Sequence, residues 1–100
     1  MATQTMNPDA RTLTGGRTLT VYTKPRCVQC DATKRDLNRR SVRYDYVDVT
    51  LDKDALDRVT SLGYKAVPVV TVTGADGAHL QDWNGYRPDL IAALYPPQVV

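Results

Sequence analysis

The feature that most constrains this chain is a Cys-x-x-C motif formed by Cys27 and Cys30, its only cysteines. The motif follows the β-branched and aromatic run Leu19–Thr23, which predicts a strand. It precedes Asp31–Arg40, which contains no glycine or proline and is rich in helix formers. The motif is therefore expected where a strand gives way to a helix.

This position gives the two thiols different chemistry. The first amides of a helix lack intrahelical partners and the macrodipole places partial positive charge there, so a thiolate is stabilised. With Lys24 and Arg26 also nearby in sequence, Cys27 is expected to have a pKa below the ~8.5 of a free thiol and to act as the nucleophile. Cys30, one turn further on the same helical face, is expected to be less exposed and to act as the resolving thiol.

Other interpretations of the cysteine pair stay open. A structural zinc site needs four ligands, and the chain offers two thiols and a lone His79, so zinc or an iron–sulfur cluster would require two chains sharing their cysteines. Two inert buried cysteines are a further alternative. A purely stapling disulfide is less favoured, because so short a loop constrains the unfolded chain little. A redox dithiol fits best, and no metal or cofactor is expected.

Length and composition exclude several classes of protein. One hundred residues with 42% hydrophobic content predict one domain with one modest core. A net charge of +2 with interspersed signs gives no basic field suited to nucleic acid. No apolar stretch approaches the ~20 residues of a membrane span, and no signal-peptide pattern precedes the domain. We therefore expect a cytoplasmic monomer, in a compartment that keeps a Cys-x-x-C reactive.

The remaining elements follow from periodicity. The alternating run Arg43–Val49 predicts a second strand, parallel to the first because a helix of about three turns connects them. Asp52 can cap a second helix that ends at Gly63. The inward positions expected for that helix are Ala55, Leu56, Val59 and Leu62.

The third and fourth strands are expected to form a hairpin. Val67–Val72 is strongly β-prone and opens with Pro68, as a strand's first residues can. A glycine-containing turn leads to His79–Trp83, and Pro88 begins the last helix. His79 is expected to be a surface residue without a nearby ligand partner.

The chain therefore divides into three segments. Residues 1–17 are rich in Thr and lack periodicity, which predicts a disordered N-terminal extension. Residues 18–95 form the domain, and residues 96–100 are expected to be a loose C-terminal tail. The order β-α-β-α-β-β-α predicts an α/β domain with a mixed four-stranded sheet flanked by three helices.

This order resembles the thioredoxin fold in its short glutaredoxin-like form, from Thr18 to about Tyr95. Within that fold the motifs are most similar to the NrdH-redoxins, small hydrogen donors of class Ib ribonucleotide reductase. The matching segments are Val21-Tyr22-Thr23-Lys24-Pro25, Cys27-Val28-Gln29-Cys30, Ala66-Val67-Pro68-Val69-Val70 and Trp83-Asn84-Gly85-Tyr86-Arg87-Pro88-Asp89.

The resemblance implies a dithiol–disulfide oxidoreductase in which Cys27 attacks and Cys30 resolves. It implies a cis bond between Val67 and Pro68, which would leave the Val67 backbone free to pair with an extended substrate segment. It also implies that Trp83 and Arg87 fix the last loop against the domain. The alternative for these two is core packing and a surface ion pair, respectively.

The resemblance further implies thioredoxin reductase as electron source and class Ib ribonucleotide reductase as acceptor. A glutathione-dependent glutaredoxin is the alternative, since Lys24 and the Val67–Pro68 backbone could hold glutathione. However, the Cys-Pro-Tyr-Cys centre and the Gly-Gly-x-Asp-like turn of glutaredoxins are absent. Trp83, Tyr86 and Val28 instead predict a partly apolar surface for a protein partner. The partner-binding candidates are Lys24, Val28, Gln29, Val67, Pro68, Trp83, Tyr86 and Arg87.

Overall fold

The computed structural model describes residues 4–6 and 16–95. The strands are β1 Gln4–Met6, β2 Thr18–Thr23, β3 Tyr44–Asp48, β4 Val69–Thr73 and β5 His79–Asn84. The helices are α1 Val28–Arg39, α2 Lys53–Ser61 and α3 Pro88–Leu94. The C-terminal tail expected at 96–100 lies outside the described residues, as does most of the N-terminal extension.

The sheet has the strand order β1-β3-β2-β4-β5. β2 and β3 are parallel, and every other neighbouring pair is antiparallel. The parallel pair follows from the crossover through α1, because a helix carries the chain back to the edge where β2 started. The predicted mixed four-stranded sheet and three helices are confirmed, and β1 adds a short fifth strand.

The N-terminal segment departs from the sequence-based expectation. Residues 1–17 were expected to be disordered, but Gln4–Met6 pairs with the edge of β3. The Arg17 guanidinium lies 5.1 Å from the centre of the Tyr95 ring and donates to the Leu94 carbonyl oxygen at 3.3 Å. The prediction is wrong for these residues, because their order comes from contacts distant in sequence that leave no local periodicity.

The core lies between the sheet and helices α1 and α3. In β2 the residues at alternate positions, Leu19, Val21 and Thr23, are buried, as the strand period requires. Leu90 and Leu94 of α3 pack against the core. The buried core cluster consists of Leu19, Val21, Leu37, Val42, Tyr44, Val70, Val72, Trp83, Ile91 and Tyr95.

Helix α2 confirms one expectation and corrects another. The Asp52 carboxylate accepts a hydrogen bond from the Ala55 N–H at 3.0 Å, so Asp52 is the predicted N-cap. Ala55 and Val59 are buried, but Leu56 is 47% exposed. The expectation that Leu56 is buried is therefore wrong. This nine-residue helix buries a narrow stripe, and Leu56 lies beside it, lining an open groove with Val67.

Asp36 is a buried acid that the sequence analysis did not identify. It is 1% exposed, and its carboxylate accepts hydrogen bonds from Arg39 at 2.8 Å, Arg40 at 2.9 Å and the Tyr86 hydroxyl at 2.9 Å. Burial alone would raise the pKa of Asp36, but these donors from Tyr86 and the two arginines outweigh it and lower the pKa. The charged carboxylate thus ties α1 to the loop between β5 and α3.

We predict that Asp36→Asn lowers the free energy of unfolding by about 2 kcal/mol at neutral pH, because it removes the charge that satisfies three donors. Wild-type Asp36 stabilises the fold above the ~3.9 pKa of an unfolded aspartate and loses this contribution as pH falls through its lowered folded-state pKa. The deficit of the variant should therefore shrink in acid. Urea unfolding of the oxidised protein at pH 7 and pH 3 measures both effects.

Asp31→Asn is the matched control on the same helix, because Asp31 is largely exposed and lies 3.9 Å from Lys34. It should change stability little at either pH. An equal deficit for Asp36→Asn and Asp31→Asn would contradict the role given to the buried carboxylate.

Candidate redox site

The two cysteines lie at the start of α1 and form a disulfide, with their Cα atoms 5.2 Å apart. Cys27 is the N-cap residue in an extended conformation, and Cys30 lies in the first helical turn. The strand-to-helix placement is confirmed, with Cys27 immediately before the first helical residue, Val28. Cys27 is 8% exposed and Cys30 is 0% exposed. Cys27 is therefore the more exposed of the two cysteines.

The helix start provides a hydrogen-bond donor to the Cys27 sulfur. The Cys30 N–H points to Cys27 Sγ at an N···S distance of 3.2 Å. This amide belongs to the first helical turn, where N–H groups have no intrahelical acceptor. When the disulfide is reduced, the same N–H is positioned to stabilise a negative charge on Cys27 Sγ.

The loop before β4 lies next to Cys27. The peptide bond between Val67 and Pro68 is cis, as the resemblance implied. The Val67 carbonyl oxygen lies 3.9 Å from Cys27 Sγ. Lys24 is exposed and lines the groove that also borders Val67. Cys27, Val67, Pro68 and Lys24 are thus brought together from two separate parts of the sequence.

The loop after β5 is fastened to α1 at two points. Gln29 Oε1 accepts a hydrogen bond from the Tyr86 N–H at 3.0 Å, and the Tyr86 hydroxyl donates to Asp36. Gly85 has φ +86, and a Cβ added there would lie 3.1 Å from Gln29 Oε1. The backbone conformation therefore favours glycine here, and an added Cβ would also displace the end of the Gln29 side chain.

The same loop is also fastened to the cis-proline loop. Asn84 Nδ2 donates to the carbonyl oxygens of Ala66 at 2.7 Å and Pro68 at 3.0 Å. The Gly85 N–H donates to the Pro68 carbonyl oxygen at 2.8 Å. Sequence reasoning quoted Asn84 within a motif but gave it no role. Its partners are distant in sequence, so no local pattern could have identified them.

The structure corrects the expectations for Trp83 and Arg87. Trp83 is 3% exposed and belongs to the core, so it does not contribute to a partner surface. It faces inward because neighbouring side chains of a strand point to opposite sides, which leaves Asn84 outside. Arg87 makes two exposed hydrogen bonds to the Asp89 carboxylate, at 3.0 and 2.8 Å. The alternative interpretation is therefore what the structure shows: Trp83 packs in the core and Arg87 forms a surface ion pair.

His79 is exposed, as expected for a surface residue. Its Nε2 lies 2.7 Å from Asp82 Oδ2, and its Nδ1 lies 3.3 Å from an Arg58 nitrogen. Over residues 4–6 and 16–95, no group of three or more His, Cys, Asp or Glu side chains is arranged to hold a metal ion. Within the same ranges, no helix has the length and apolar character needed to cross a membrane.

Comparison with known proteins gives a consistent result. The family model for glutaredoxin matches residues 19–76. The glutaredoxin-like protein NrdH of Salmonella typhimurium is 38% identical over 78 residues, which cover 78% of this chain and 89% of that protein. The gene 56 protein of Mycobacterium phage L5 is 40% identical over 77 residues, covering 76% of this chain and 70% of the phage protein.

The fold and sequence also match a solved relative. The structure of NrdH-redoxin from Escherichia coli superposes with a TM-score of 0.68 at 33% identity, covering 81% of this chain and 99% of that one. On this evidence the chain belongs to the glutaredoxin-like NrdH-redoxins of the thioredoxin superfamily, a family of thiol–disulfide oxidoreductases, and its Cys-x-x-C pair is Cys27 and Cys30.

Proposed function

We propose that this protein is a dithiol electron carrier that takes electrons from thioredoxin reductase and delivers them to class Ib ribonucleotide reductase. The observation that carries the proposal is the placement of Cys27, the more exposed of the two cysteines, at the start of α1 next to the buried Cys30 and the Val67 backbone. The Escherichia coli relative is described as a glutaredoxin-like protein with a thioredoxin-like activity profile. The similarity over most of both chains supports extending that profile to this protein.

In the proposed reaction, the Cys27 thiolate attacks one sulfur of a substrate disulfide and forms a mixed disulfide. The other substrate sulfur leaves as a thiolate and takes up a proton. The Cys30 thiol then loses its proton and attacks Cys27 Sγ, which releases the second substrate thiolate. The substrate gains two electrons, and the protein is left with the Cys27–Cys30 disulfide. Thioredoxin reductase, using NADPH, returns the two electrons.

The assignment of the two roles rests on access. An incoming protein disulfide can approach the Cys27 sulfur, whereas Cys30 is completely buried. The 5.2 Å separation of the two Cα atoms allows Cys30 to reach the mixed disulfide from within the helix. Val28 is 83% exposed between them and provides an apolar contact for the partner. The proposed docking surface is completed by Lys24, Gln29, Val67, Tyr86 and Arg87, whereas Pro68, which the sequence analysis also placed there, is buried.

The hydrogen bonding of the loop after β5 favours thioredoxin reductase over glutathione as the electron source. Glutathione is an anionic tripeptide, and binding its carboxylates requires free donors and cations near the nucleophile. The Gly85 N–H is already used by Pro68, and the Tyr86 N–H is already used by Gln29. Lys24, Lys65 and the Val67 backbone could hold part of glutathione, but these two amides of the loop after β5 are not available to its second carboxylate.

We predict that Cys27→Ser abolishes reduction of a protein disulfide, because no thiolate remains at the accessible position. Cys30→Ser should instead trap the mixed disulfide, since the second attack is missing. Mass spectrometry of each variant after mixing with oxidised substrate distinguishes the two outcomes. Wild-type turnover by Cys27→Ser would show that the nucleophile is assigned wrongly.

We predict that the reduced Cys30→Ser variant alkylates at Cys27 with an apparent pKa below the ~8.5 of a free thiol. The variant keeps the backbone N–H that contacts Cys27 Sγ, so the helix start still stabilises the thiolate. The rate of reaction with iodoacetamide is measured against pH, with free cysteine as the reference thiol. A profile that coincides with the reference would argue for a passive thiol.

We predict that NADPH oxidation with a common disulfide acceptor is supported mainly by thioredoxin reductase and only weakly by glutathione with glutathione reductase. The two systems are compared at equal concentrations of this protein and of acceptor. Equal or faster turnover with glutathione would place the protein functionally with the ordinary glutaredoxins. Adding class Ib ribonucleotide reductase as the acceptor then tests the delivery of electrons.

A further inference from the structure

Asn84, the last residue of β5, holds the loop that faces the redox pair. Its Nδ2 donates to the carbonyl oxygens of Ala66 and Pro68, one on each side of Val67, at 2.7 and 3.0 Å. The orientation of the amide is determined by these partners, because carbonyl oxygens only accept and the Asn84 oxygen would be repelled by both. Both Nδ2 hydrogens are therefore engaged by one three-residue segment.

Val67 lies between the two carbonyl groups that Asn84 fixes, and its own backbone N–H and C=O stay available to pair with a substrate. Its carbonyl oxygen lies 3.9 Å from Cys27 Sγ. Within the described part of the chain, its N–H donates no hydrogen bond. Pairing with an extended polypeptide requires the N–H and C=O of one residue at a fixed place beside the partner strand. Asn84 fixes the neighbours of Val67 and leaves that pair of groups open.

The segment that contains Asn84 is itself anchored to the helix of the redox pair. Two residues after Asn84, the Tyr86 N–H donates to Gln29, which lies between Cys27 and Cys30 in sequence. The hydrogen bonds of Asn84 and Tyr86 thus connect the loop that carries Val67 to the start of α1, and they fix the position of Val67 relative to Cys27. The connection from α2 to β4 that carries Val67 has no helix or strand of its own.

A simpler interpretation is that Asn84 only terminates β5. Asn84 pairs with Val69 at the end of the ladder and its side chain is exposed, so it adds nothing to the core. Strand termination would require no contact with Ala66, which precedes the cis-proline bond. The hydrogen bonds of Asn84 to the residues on both sides of Val67 therefore distinguish a positioning role from simple strand termination.

We propose that Asn84 is a positioning residue that makes this site selective for disulfides carried on polypeptides. It holds Val67 in register with Cys27, so that an extended substrate segment pairs with the Val67 backbone while its disulfide lies at Cys27 Sγ. The inference rests on the attack by Cys27 proposed above. A small disulfide without peptide groups gains nothing from Val67, so its reduction does not depend on Asn84.

The test is the isosteric variant Asn84→Asp, which replaces the donor by a carboxylate oxygen that repels both carbonyls. The variant is reduced chemically, the reductant is removed, and a single turnover is followed by stopped flow. Insulin supplies a polypeptide disulfide, and 4,4′-dithiodipyridine is a neutral disulfide without peptide groups. We expect the second-order rate constant with insulin to fall about tenfold, and that with dithiodipyridine to stay within about twofold of wild type.

Two further variants control the experiment. Gln81→Glu adds the same charge on β5, and within the described residues the Gln81 side chain makes no hydrogen bond, so it should behave as wild type with both acceptors. Asn84→Ser keeps a single donor and should give an insulin rate between wild type and Asn84→Asp. If Asn84→Asp does not fold, Asn84→Ser replaces it in the test, and it should slow the reduction of insulin but not that of dithiodipyridine.

The proposal is overturned if Asn84→Asp reduces insulin at the wild-type rate, or if it slows both acceptors by the same factor. It is also overturned if Gln81→Glu slows insulin reduction as strongly. The experiment contains neither thioredoxin reductase nor ribonucleotide reductase. Its result is therefore independent of whether those partners are assigned correctly, while a loss of both reactions in Cys27→Ser tests the underlying nucleophile separately.

Discussion

The parallel pairing of β2 with β3 is the constraint on which the site depends. It requires a crossover, and α1 provides it by starting directly after β2, so Cys27 lies at the edge of the sheet where β2 ends. β4 runs antiparallel to β2 with Val69 opposite Tyr22, so Val67 and Pro68 enter at the same edge. β5 is antiparallel to β4 and returns there with Asn84 opposite Val69. One topology thus gathers the nucleophile, the substrate-facing backbone and the loop that holds it.

The polar groups at this edge belong mostly to the backbone of loops, and side chains supply hydrogen-bond partners for them. Asn84 and the Gly85 N–H fix the cis-proline loop, and Gln29 fixes the following turn to α1. Asp36 extends the connection two turns further along the helix through the Tyr86 hydroxyl. Each hydrogen bond contributes on the order of 1 kcal/mol to stability. Together they keep the backbone beside Cys27 in place while the bond between the two sulfurs is made and broken.

The sequence predicted most of the fold because its signals are local. The strand before Cys27, the cap at Asp52 and the proline at the start of α3 are each recognisable from a few neighbouring residues. The errors arose where a residue's environment is set by distant parts of the chain. Leu56 fits the helical period but lies at the side of the buried stripe. For Trp83 the residues alone favoured core packing, and the surface role was drawn from the family resemblance.

The sequence by itself determined the chemistry of this protein: two thiols three residues apart at a helix start can act as a nucleophile and a resolving group, and this depends only on local backbone geometry. The motifs also identified the family. Only the tertiary structure decided which groups surround the sulfur. The contacts of Val67 with Cys27, of Asn84 with Ala66 and of Asp36 with Tyr86 join residues that are 40, 18 and 50 positions apart. Such pairs come together only when the sheet closes, because no propensity or periodicity specifies which distant carbonyl a side chain will meet.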